Sequence, residues 1–374
     1  MTAVAELVIA GILNVMADDL HISVAAAGQL IAAYSVSFAI GTPVLIMLTA
    51  RMGRKKLLIS ALVMFIAGSA ASFISTHYYA LLIARLILGV SAGVYLVVAM
   101  GSMAKLIPAE KLGSAIGTVA LAFSSAMVLG VPLGIALANW WNWQAIFMLL
   151  GIVSLLITLI LARMLPDSEG DAPVPFRKQF SVLGNPIITF GLLVVFFMNA
   201  GFSVLYTYLT PFLQTVLHLS VSRIAITMLL LGVSGMIGSR LGGYGVDKWG
   251  ARRIVVVSLM AQTVLLALLP MLSSVAAASI LAIMVWVFSM FLIAPAIQAH
   301  FIQQAPQSSN LVLSLNLSVT HLAIATGASA GGMMADAAST VQYNPLLAAG
   351  AAVLGLAAAS LSFAKRARRA SASG

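Results

Sequence analysis

The chain has 374 residues, of which 62% are hydrophobic and only 7% are charged, and it contains no cysteine. Soluble proteins carry about a quarter charged residues, and a soluble protein of this length could not bury so much apolar surface. The composition therefore predicts an integral membrane protein, and the absence of cysteine excludes disulfides and thiolate metal sites.

Twelve apolar runs of helix length follow one another along the chain. A helix needs about 20 mostly apolar residues to span a bilayer, and the alternating pattern of a barrel strand is absent. We therefore predict an all-α integral membrane protein with about 12 transmembrane helices. The runs cover residues 2–17, 25–49, 57–75, 80–104, 113–138, 145–164, 186–212, 224–246, 254–272, 276–302, 311–335 and 345–363.

The first run is short for a span and starts almost at Met1, which leaves open whether the chain begins further upstream or the first helix is short. No basic region precedes it, so no cleavable signal peptide is expected. One long polar stretch, 166–179, is predicted to be a linker. The predicted domains are an N-terminal six-helix bundle (1–164), a cytoplasmic linker (165–184), a C-terminal six-helix bundle (185–364) and a cytoplasmic tail (365–374).

The net charge of +10 comes from 19 Lys and Arg residues that occur in small groups between the apolar runs. If the N-terminus is cytoplasmic, the cytoplasmic segments carry 17 of these 19 cations, and the exceptions are Arg85 and Arg223. Because cations concentrate on the cytoplasmic side, both termini are predicted to be cytoplasmic. Such dispersed cations do not form a nucleic-acid surface, so the expected partner at this point is the lipid bilayer.

Two short basic loops repeat at an offset of 197 residues, which places Gly53 on Gly250 and Gly41 on Gly238. The offset is near half the chain length, so the two halves are predicted to be related repeats. A glycine allows a tight turn, and the flanking cations keep the turn in the cytoplasm. These loops are predicted to make contacts of a cytoplasmic gate, or else to act only as topology signals. The residues concerned are Arg51, Gly53, Arg54, Asp247, Lys248, Gly250 and Arg252.

Glu6 and Arg85 are ionisable residues predicted to lie within spans, where such residues are functional candidates. Glu6 precedes Asp18 by 12 residues, roughly 18 Å along a helix, and so lies near mid-membrane unless the inner boundary of the first helix falls close to it. Because burial disfavours the charged form of a carboxylate, Glu6 is a candidate proton carrier. Arg85 is expected to pair with Glu6, Asp18 or Asp19, or to extend to the outer headgroups.

Further polar and helix-breaking residues lie within the runs. Run five contains Gly130, Pro132 and Gly134, a combination that kinks a membrane helix and thins its surface. Other polar residues could line a cavity, although helix-to-helix hydrogen bonding is the commoner role; they are Asn199, Gln298, His300, Asn316 and His321. No metal-ligand cluster, hydrolase triad or phosphate loop is found, so we predict no catalytic residue, no metal and no cofactor besides a coupling proton.

These motifs resemble those of the major facilitator superfamily across essentially the whole chain. Both basic loops are similar to its D-R-x-G-R-[KR] signature, which follows the second and the eighth helix. The remaining similarities are Ala5-Glu6-Leu7 with Gly11 (first helix of bacterial drug and sugar efflux members), Arg85 with Gly89 and Gly93 (fourth-helix motif), Gly130-Pro132-Gly134 (antiporter motif of the fifth helix), and Gly327, Gly331, Gly332 and Asp336 (end of the eleventh helix).

The chain departs from the family pattern at several positions. Ala50 stands where the family has Asp, Lys248 replaces Arg, and Gln144 follows Trp143 where Arg is common. A gate lock centred on an Asp is therefore not expected at the first loop.

The resemblance implies a monomeric transporter of the bacterial cytoplasmic membrane, with two six-helix bundles related by a pseudo-two-fold repeat. We expect proton-coupled efflux, by antiport, of a small organic solute such as a sugar or a drug, with Glu6 and Arg85 as coupling residues. A uniporter of the same fold and a non-transporting membrane sensor remain alternatives. A membrane-embedded enzyme is disfavoured because the nine acidic residues are dispersed.

Overall fold

The computed structural model describes residues 1–106, 125–167, 181–305 and 309–372. Within these ranges the chain forms helices joined by short turns, and no β-strand occurs. The chain divides into two compact units, Met1–Pro175 (unit 1) and Phe176–Gly374 (unit 2).

Unit 1 contains the helices α1 (Thr2–Asp19), α2 (Val24–Val36), α3 (Thr42–Leu48), α4 (Arg54–Ile74), α5 (Tyr78–Leu106), α6 (Val131–Trp140) and α7 (Gln144–Met164). Unit 2 contains α8 (Pro186–Tyr206), α9 (Val221–Trp249), α10 (Ala251–Leu272), α11 (Ala276–Gln304), α12 (Ser309–Ala338) and α13 (Asn344–Ala372). A single helical turn at Leu209–Pro211, short π-helical turns at Ser37–Gly41, Ala126–Gly130 and Phe212–Val216, and a 3-10 turn at Ser181–Gly184 complete the described elements.

Ten helical segments in the described ranges are long and apolar enough to cross a membrane. The predicted first span, α1, is not among them because it carries three acidic residues within its 18 residues. The predicted fifth span, 113–138, lies outside the described residues as far as position 124, and its remaining part contributes the short apolar helix Val128–Trp140. With these two helices added, the protein has the predicted all-α, 12-helix, two-bundle organisation. Most of the predicted linker, 168–180, also lies outside the described residues.

The second span of unit 1 is interrupted by the π-helical turn Ser37–Gly41, which separates α2 from α3. Two glycines of α5 face this interruption. A Cβ atom at Gly89 would overlap the carbonyl oxygen of Tyr34, and one at Gly93 would overlap Oγ1 of Thr42. Glycine at these two positions therefore allows α5 to approach the second span closely.

In unit 2 the corresponding span, α9, is one continuous helix that packs closely on α11. A Cβ atom at Gly238 would overlap the carbonyl oxygen of Phe288, and one at Gly242 the carbonyl oxygen of Leu292. Glycine at these positions allows the two helix backbones to touch.

The first span of each unit ends at a histidine in the left-handed backbone conformation, with φ 54° at both His21 and His218. These residues are 197 positions apart, which is the offset of the basic loops. At His21 the turn closes as a Schellman cap, because the Ile22 N–H donates to Ala17 O at 3.0 Å and the His21 N–H to Asp18 O at 3.3 Å. The two repeats therefore share a turn conformation as well as a sequence pattern.

The repeated glycines of the two basic loops differ in backbone conformation. Gly250, between α9 and α10, has φ 80°, which favours glycine. Gly53, immediately before α4, has φ −56° and ψ 138°, a conformation open to any residue. Glycine is therefore favoured by the backbone at Gly250, whereas the backbone at Gly53 would accept other residues.

Candidate functional site

Arg85 is enclosed within unit 1, with its side chain only 2% exposed. Its Nη1 donates a hydrogen bond to the carbonyl oxygen of Ala5 at 2.9 Å. Its Cζ lies 5.7 Å from the ring centroid of Tyr34 and 5.2 Å from that of Phe147. Aromatic faces stabilise a desolvated guanidinium. The alternative prediction, that Arg85 extends to the headgroups, is wrong because three helices surround the side chain.

Glu6 follows Ala5 on α1 and is half-buried. Its charge interacts with Arg85 and with Tyr34. One helix thus brings both a carboxylate and a backbone carbonyl to the same guanidinium. Of the acidic partners considered for Arg85, Glu6 is the one that lies within its electrostatic reach, while Asp19 bonds elsewhere.

The motif of the fifth span shapes the surface on which α1 packs. A Cβ atom at Gly130 would lie 2.8 Å from Val4, and one at Gly134 would overlap Val8. Pro132 lies in the first turn of α6, directly after the π-helical turn that ends at Gly130. The small residues of the motif therefore set how closely this span approaches the helix that carries Glu6.

The first basic loop contacts other elements of unit 1. The guanidinium of Arg54 lies against Gly101 of α5, where a Cβ atom would be 3.2 Å from Nη1. Lys55 Nζ lies 3.9 Å from Asp167 Oδ1, in an exposed pair of the kind that contributes little stability. Arg51 is exposed.

The second basic loop contacts aromatic rings of unit 2. Lys248 Nζ lies 5.7 Å from the ring centroids of both Tyr244 and Trp249. Arg252 Cζ lies 6.0 Å from the ring centroid of Phe363 on α13. Asp247 is exposed on the last turn of α9. These contacts fix the loop locally, and its action as a gate stays a prediction.

The polar residues considered for a cavity are dispersed over α8, α11 and α12. Asn199 Nδ2 donates to Val195 O within its own helix at 2.8 Å, and His321 Nδ1 lies 3.0 Å from Leu317 O, also within its helix. Gln298 is exposed. The amide nitrogen of Asn199 thus finds an acceptor one turn back in its own helix, and a helix-to-helix hydrogen bond of this residue stays a prediction.

Two further members of this group differ in their surroundings. His300 Nε2 lies 3.4 Å from Ser362 Oγ on another helix, in a small cavity that is also lined by Gly191 and Phe363. Oδ1 of Asn316 is buried and finds no hydrogen-bond partner among the described residues. The hydrogen bonds of Asn199 and His321 given above stay within α8 and α12, and a shared cavity of Asn199, Gln298, Asn316 and His321 stays a prediction.

Comparison with known proteins decides the family. The sequence model of the Major Facilitator Superfamily matches residues 1–328. The chain belongs to this superfamily. It is 34% identical over 336 residues to the MFS-type transporter YbcL of Bacillus subtilis (strain 168), covering 90% of this chain and 86% of the relative. It is 28% identical over 347 residues to the inner membrane transport protein YdhP of Escherichia coli (strain K12), covering 93% of this chain and 88% of that protein.

A solved structure shows the same fold. The crystal structure of a D-xylose–proton symporter matches 96% of this chain and 93% of its own, with a TM-score of 0.77 and 19% sequence identity. This protein is thus a multi-pass membrane transporter of the Major Facilitator Superfamily.

Several residues of the candidate site could not be predicted from the sequence. Tyr34 and Phe147 enclose Arg85, but an aromatic residue in an apolar run carries no signal of its neighbours. The indole of Trp143 is buried and donates a hydrogen bond to Asp19, a partner that no sequence pattern indicates. No group of three or more His, Asp or Glu in the described ranges could hold a metal ion.

Proposed function

We propose that this transporter is a proton-coupled efflux carrier that exchanges protons for a small organic solute, such as a sugar or an amphiphilic drug, by alternating access. The observation that carries the proposal is the enclosed guanidinium of Arg85 beside the carboxylate of Glu6. Ionisable residues are costly inside a membrane and mark transport or proton pathways. The transporter would act as a monomer in the bacterial cytoplasmic membrane, with both termini in the cytoplasm and the proton as its coupling ion.

Glu6 would gain a proton when its carboxyl group is accessible from one side of the membrane and lose it when the group is accessible from the other. Protonation leaves the positive charge of Arg85 uncompensated, and this change in local charge would bias the conformational equilibrium.

The relatives support parts of this proposal. YdhP is an inner membrane transport protein, and the matching solved structure is a D-xylose–proton symporter, so a proton as coupling ion and a sugar as solute both have a precedent in the fold. The outward direction is supported by Gly130, Pro132 and Gly134, which resemble an antiporter motif, and by Ala5-Glu6-Leu7, which resembles efflux members.

A uniporter is the second candidate. The observation that favours it is that the other acidic residues in the described ranges lie in the last turn of a helix or outside one, which leaves Glu6 as a single side chain for coupling among them. A uniporter would move its solute equally well with and without a pH gradient.

Flux measurements in proteoliposomes test the proposal. D-xylose and ethidium serve as the sugar and the amphiphilic probe, with and without an imposed pH gradient. We expect the gradient to accelerate flux of one probe in the wild type, and Glu6→Gln to abolish this acceleration because the side chain is fixed in a neutral state. Asp167→Asn, which changes an exposed carboxylate, is the matched control. Full gradient-driven flux in Glu6→Gln would remove Glu6 from the mechanism, and flux indifferent to the gradient in the wild type would favour the uniporter.

A further inference from the structure

Asp19, the last residue of α1, is bonded to the start of α7. Its Oδ2 accepts a hydrogen bond from the indole Nε1–H of Trp143 at 2.8 Å, and Gln144 Nε2 lies 3.4 Å from the same oxygen. Trp143 is 2% exposed, whereas Asp19 is exposed. Hydrogen bonds to a charged acceptor are roughly twice as strong as those between neutral groups. We call the bond between Asp19 and Trp143 the clasp.

The clasp connects to Arg85 through one further ring. Trp143 meets Phe147 edge to face, with centroids 6.0 Å apart and an interplanar angle of 84°. Phe147 is the ring that lies 5.2 Å from the guanidinium carbon of Arg85, and Arg85 in turn donates to Ala5 on α1. This series of contacts therefore begins at Asp19, at the C-terminal end of α1, and ends at Ala5, near the N-terminal end of the same helix. Because interior side chains are close-packed, a displaced indole also displaces Phe147 and the guanidinium.

The backbone fixes the position of the carboxylate. The left-handed turn at His21 closes α1 two residues after Asp19. At the repeat offset of 197 residues, Asp19 corresponds to Val216, whose side chain cannot accept a hydrogen bond. The clasp thus occurs in the unit that contains Glu6 and Arg85, and the corresponding position of the other unit is apolar.

The clasp is also able to open. Its donors, Trp143 and Gln144, are neutral, and no cation in the described ranges pairs with Asp19. A neutral donor at an exposed carboxylate competes with water, so the bond can form and break as the helices move.

We propose that Asp19 is a positioning residue for Arg85 that acts through Trp143 and Phe147. When the clasp is closed, it holds Phe147 against the guanidinium of Arg85 and so fixes the surroundings of Glu6. When the clasp is open, Phe147 and the guanidinium are free to move. The inference rests on the proposed role of Glu6 and Arg85 in proton coupling. The test of this inference needs neither substrate nor gradient. The inference can therefore fail while the proposed function holds, and the proposed function can fail while the inference holds.

Two cysteine reporters test the inference, because the natural chain contains no cysteine. Ala145→Cys lies beside the clasp, and Ala5→Cys lies beside Arg85; both alanines are buried. Ala84→Cys, next to Arg85 in sequence and also buried, replaces Ala5→Cys if that variant does not assemble. The transporter is reconstituted in lipid vesicles, and the rate of modification by a small methanethiosulfonate reagent is compared with that of the exposed reporter Thr76→Cys.

We expect Asp19→Ala and Trp143→Phe to raise the modification rate about tenfold at both reporters, the factor set by losing one hydrogen bond to a charged group. Asp19→Asn keeps an acceptor oxygen and should fall between the wild type and Asp19→Ala. Gln144→Arg adds a cation beside Asp19 and should slow modification below the wild-type rate at both reporters. The matched controls Asp18→Asn and Trp141→Phe change exposed neighbours and should leave both rates within about twofold.

The outcomes separate positioning from local packing. A faster rate at Ala145→Cys alone would mean that the clasp acts only on its own surroundings, and the inference would be overturned. Equal rates in Trp143→Phe and Trp141→Phe at both reporters would overturn it as well. Opposite responses to Asp19→Ala and Gln144→Arg at the reporter beside Arg85 would support it.

Discussion

His21 and His218 adopt the same left-handed backbone conformation, with φ 54° in both, at the same place in the two repeats. Each lies in a segment that reads Leu-His, then Ile or Leu, then Ser-Val. Histidine is enriched several-fold in this conformation relative to most residues other than glycine. The turn that ends the first span of each unit therefore tolerates few residue types, and this explains why the two segments remain so similar.

These turns give a stability prediction. His21→Val should lower the free energy of unfolding by about 1–2 kcal/mol relative to His21→Gly, because a β-branched residue is disfavoured at positive φ. The same difference is expected between His218→Val and His218→Gly. Thermal unfolding in detergent micelles measures both pairs. His77, which is exposed and has no positive φ, provides the control, and an equal Val-to-Gly difference at His77 would contradict the explanation.

Arg85 should be required for transport driven by a pH gradient. Arg85→Ala removes the buried positive charge and its hydrogen bond to Ala5, so the acceleration of flux by the gradient should be lost. Arg85→Lys keeps the charge but loses the planar contact with Tyr34 and Phe147, so the flux should fall while its response to the gradient remains. Proteoliposome flux with and without a gradient distinguishes the two effects. Gradient-driven flux in Arg85→Ala equal to that of the wild type would refute the prediction.

The glycines of α5 should be intolerant of any side chain. Gly89→Ala is expected to destabilise the protein by about 1–3 kcal/mol, because the new methyl group overlaps the backbone carbonyl of Tyr34. Gly243→Ala, on a part of α9 where a Cβ atom meets no atom within 4 Å, is the matched control and should be neutral or stabilising by up to about 1 kcal/mol. Unfolding temperatures of the two variants should differ in this order, and the reverse order would disprove the packing argument.

The basic loops should respond unequally to alanine. Gly250→Ala faces open space but must keep φ 80°, so we expect a cost of about 1–2 kcal/mol from backbone strain alone. Gly53→Ala should stay within about 0.5 kcal/mol, since its backbone conformation suits any residue. If the loops act as gate contacts, Gly53→Leu should slow transport at normal membrane abundance. Unchanged flux in that variant would reduce the loop to a topology signal.

Topology can be tested at three positions. Cysteines at Lys56 and Arg369 should react only with a reagent that reaches the cytoplasm, and one at Trp141 should react from outside, because the cations concentrate in the cytoplasmic segments. Modification of Lys56→Cys from outside intact cells would reverse the orientation. Trp141 is exposed, so a slow reaction there cannot arise from burial.

The helix count and the neighbourhood of Glu6 and Arg85 could be predicted from sequence, because a charge inside a membrane has few possible partners. The rings of Tyr34 and Phe147 could not, since aromatic residues in apolar runs are common and their contacts depend on packing. The bond between Asp19 and Trp143 joins residues 124 positions apart, and no periodicity links them.

The form of the backbone irregularities was equally hidden. The π-helical turn at Ser37–Gly41 ends two residues before Pro43, which lies in the first turn of α3, and Gly89 of α5 packs against it. A proline in an apolar run indicates an interruption of the helix, but not which backbone conformation the interruption adopts. The repeat of the basic loops also hides a difference, because Gly250 has φ 80° whereas its counterpart Gly53 has φ −56°.

The contact of Gly238 and Gly242 with the carbonyl oxygens of α11 has a practical use. Two backbones that touch cannot slide past each other without opening a void or a clash, so α9 and α11 should keep one separation throughout the transport cycle. Spin labels on cysteines at the exposed positions Ile237 and Val285 would therefore report a constant distance. That pair would serve as an internal reference distance when spectroscopic distances between other helices are measured. Because the natural chain contains no cysteine, the labels would attach only at the introduced positions.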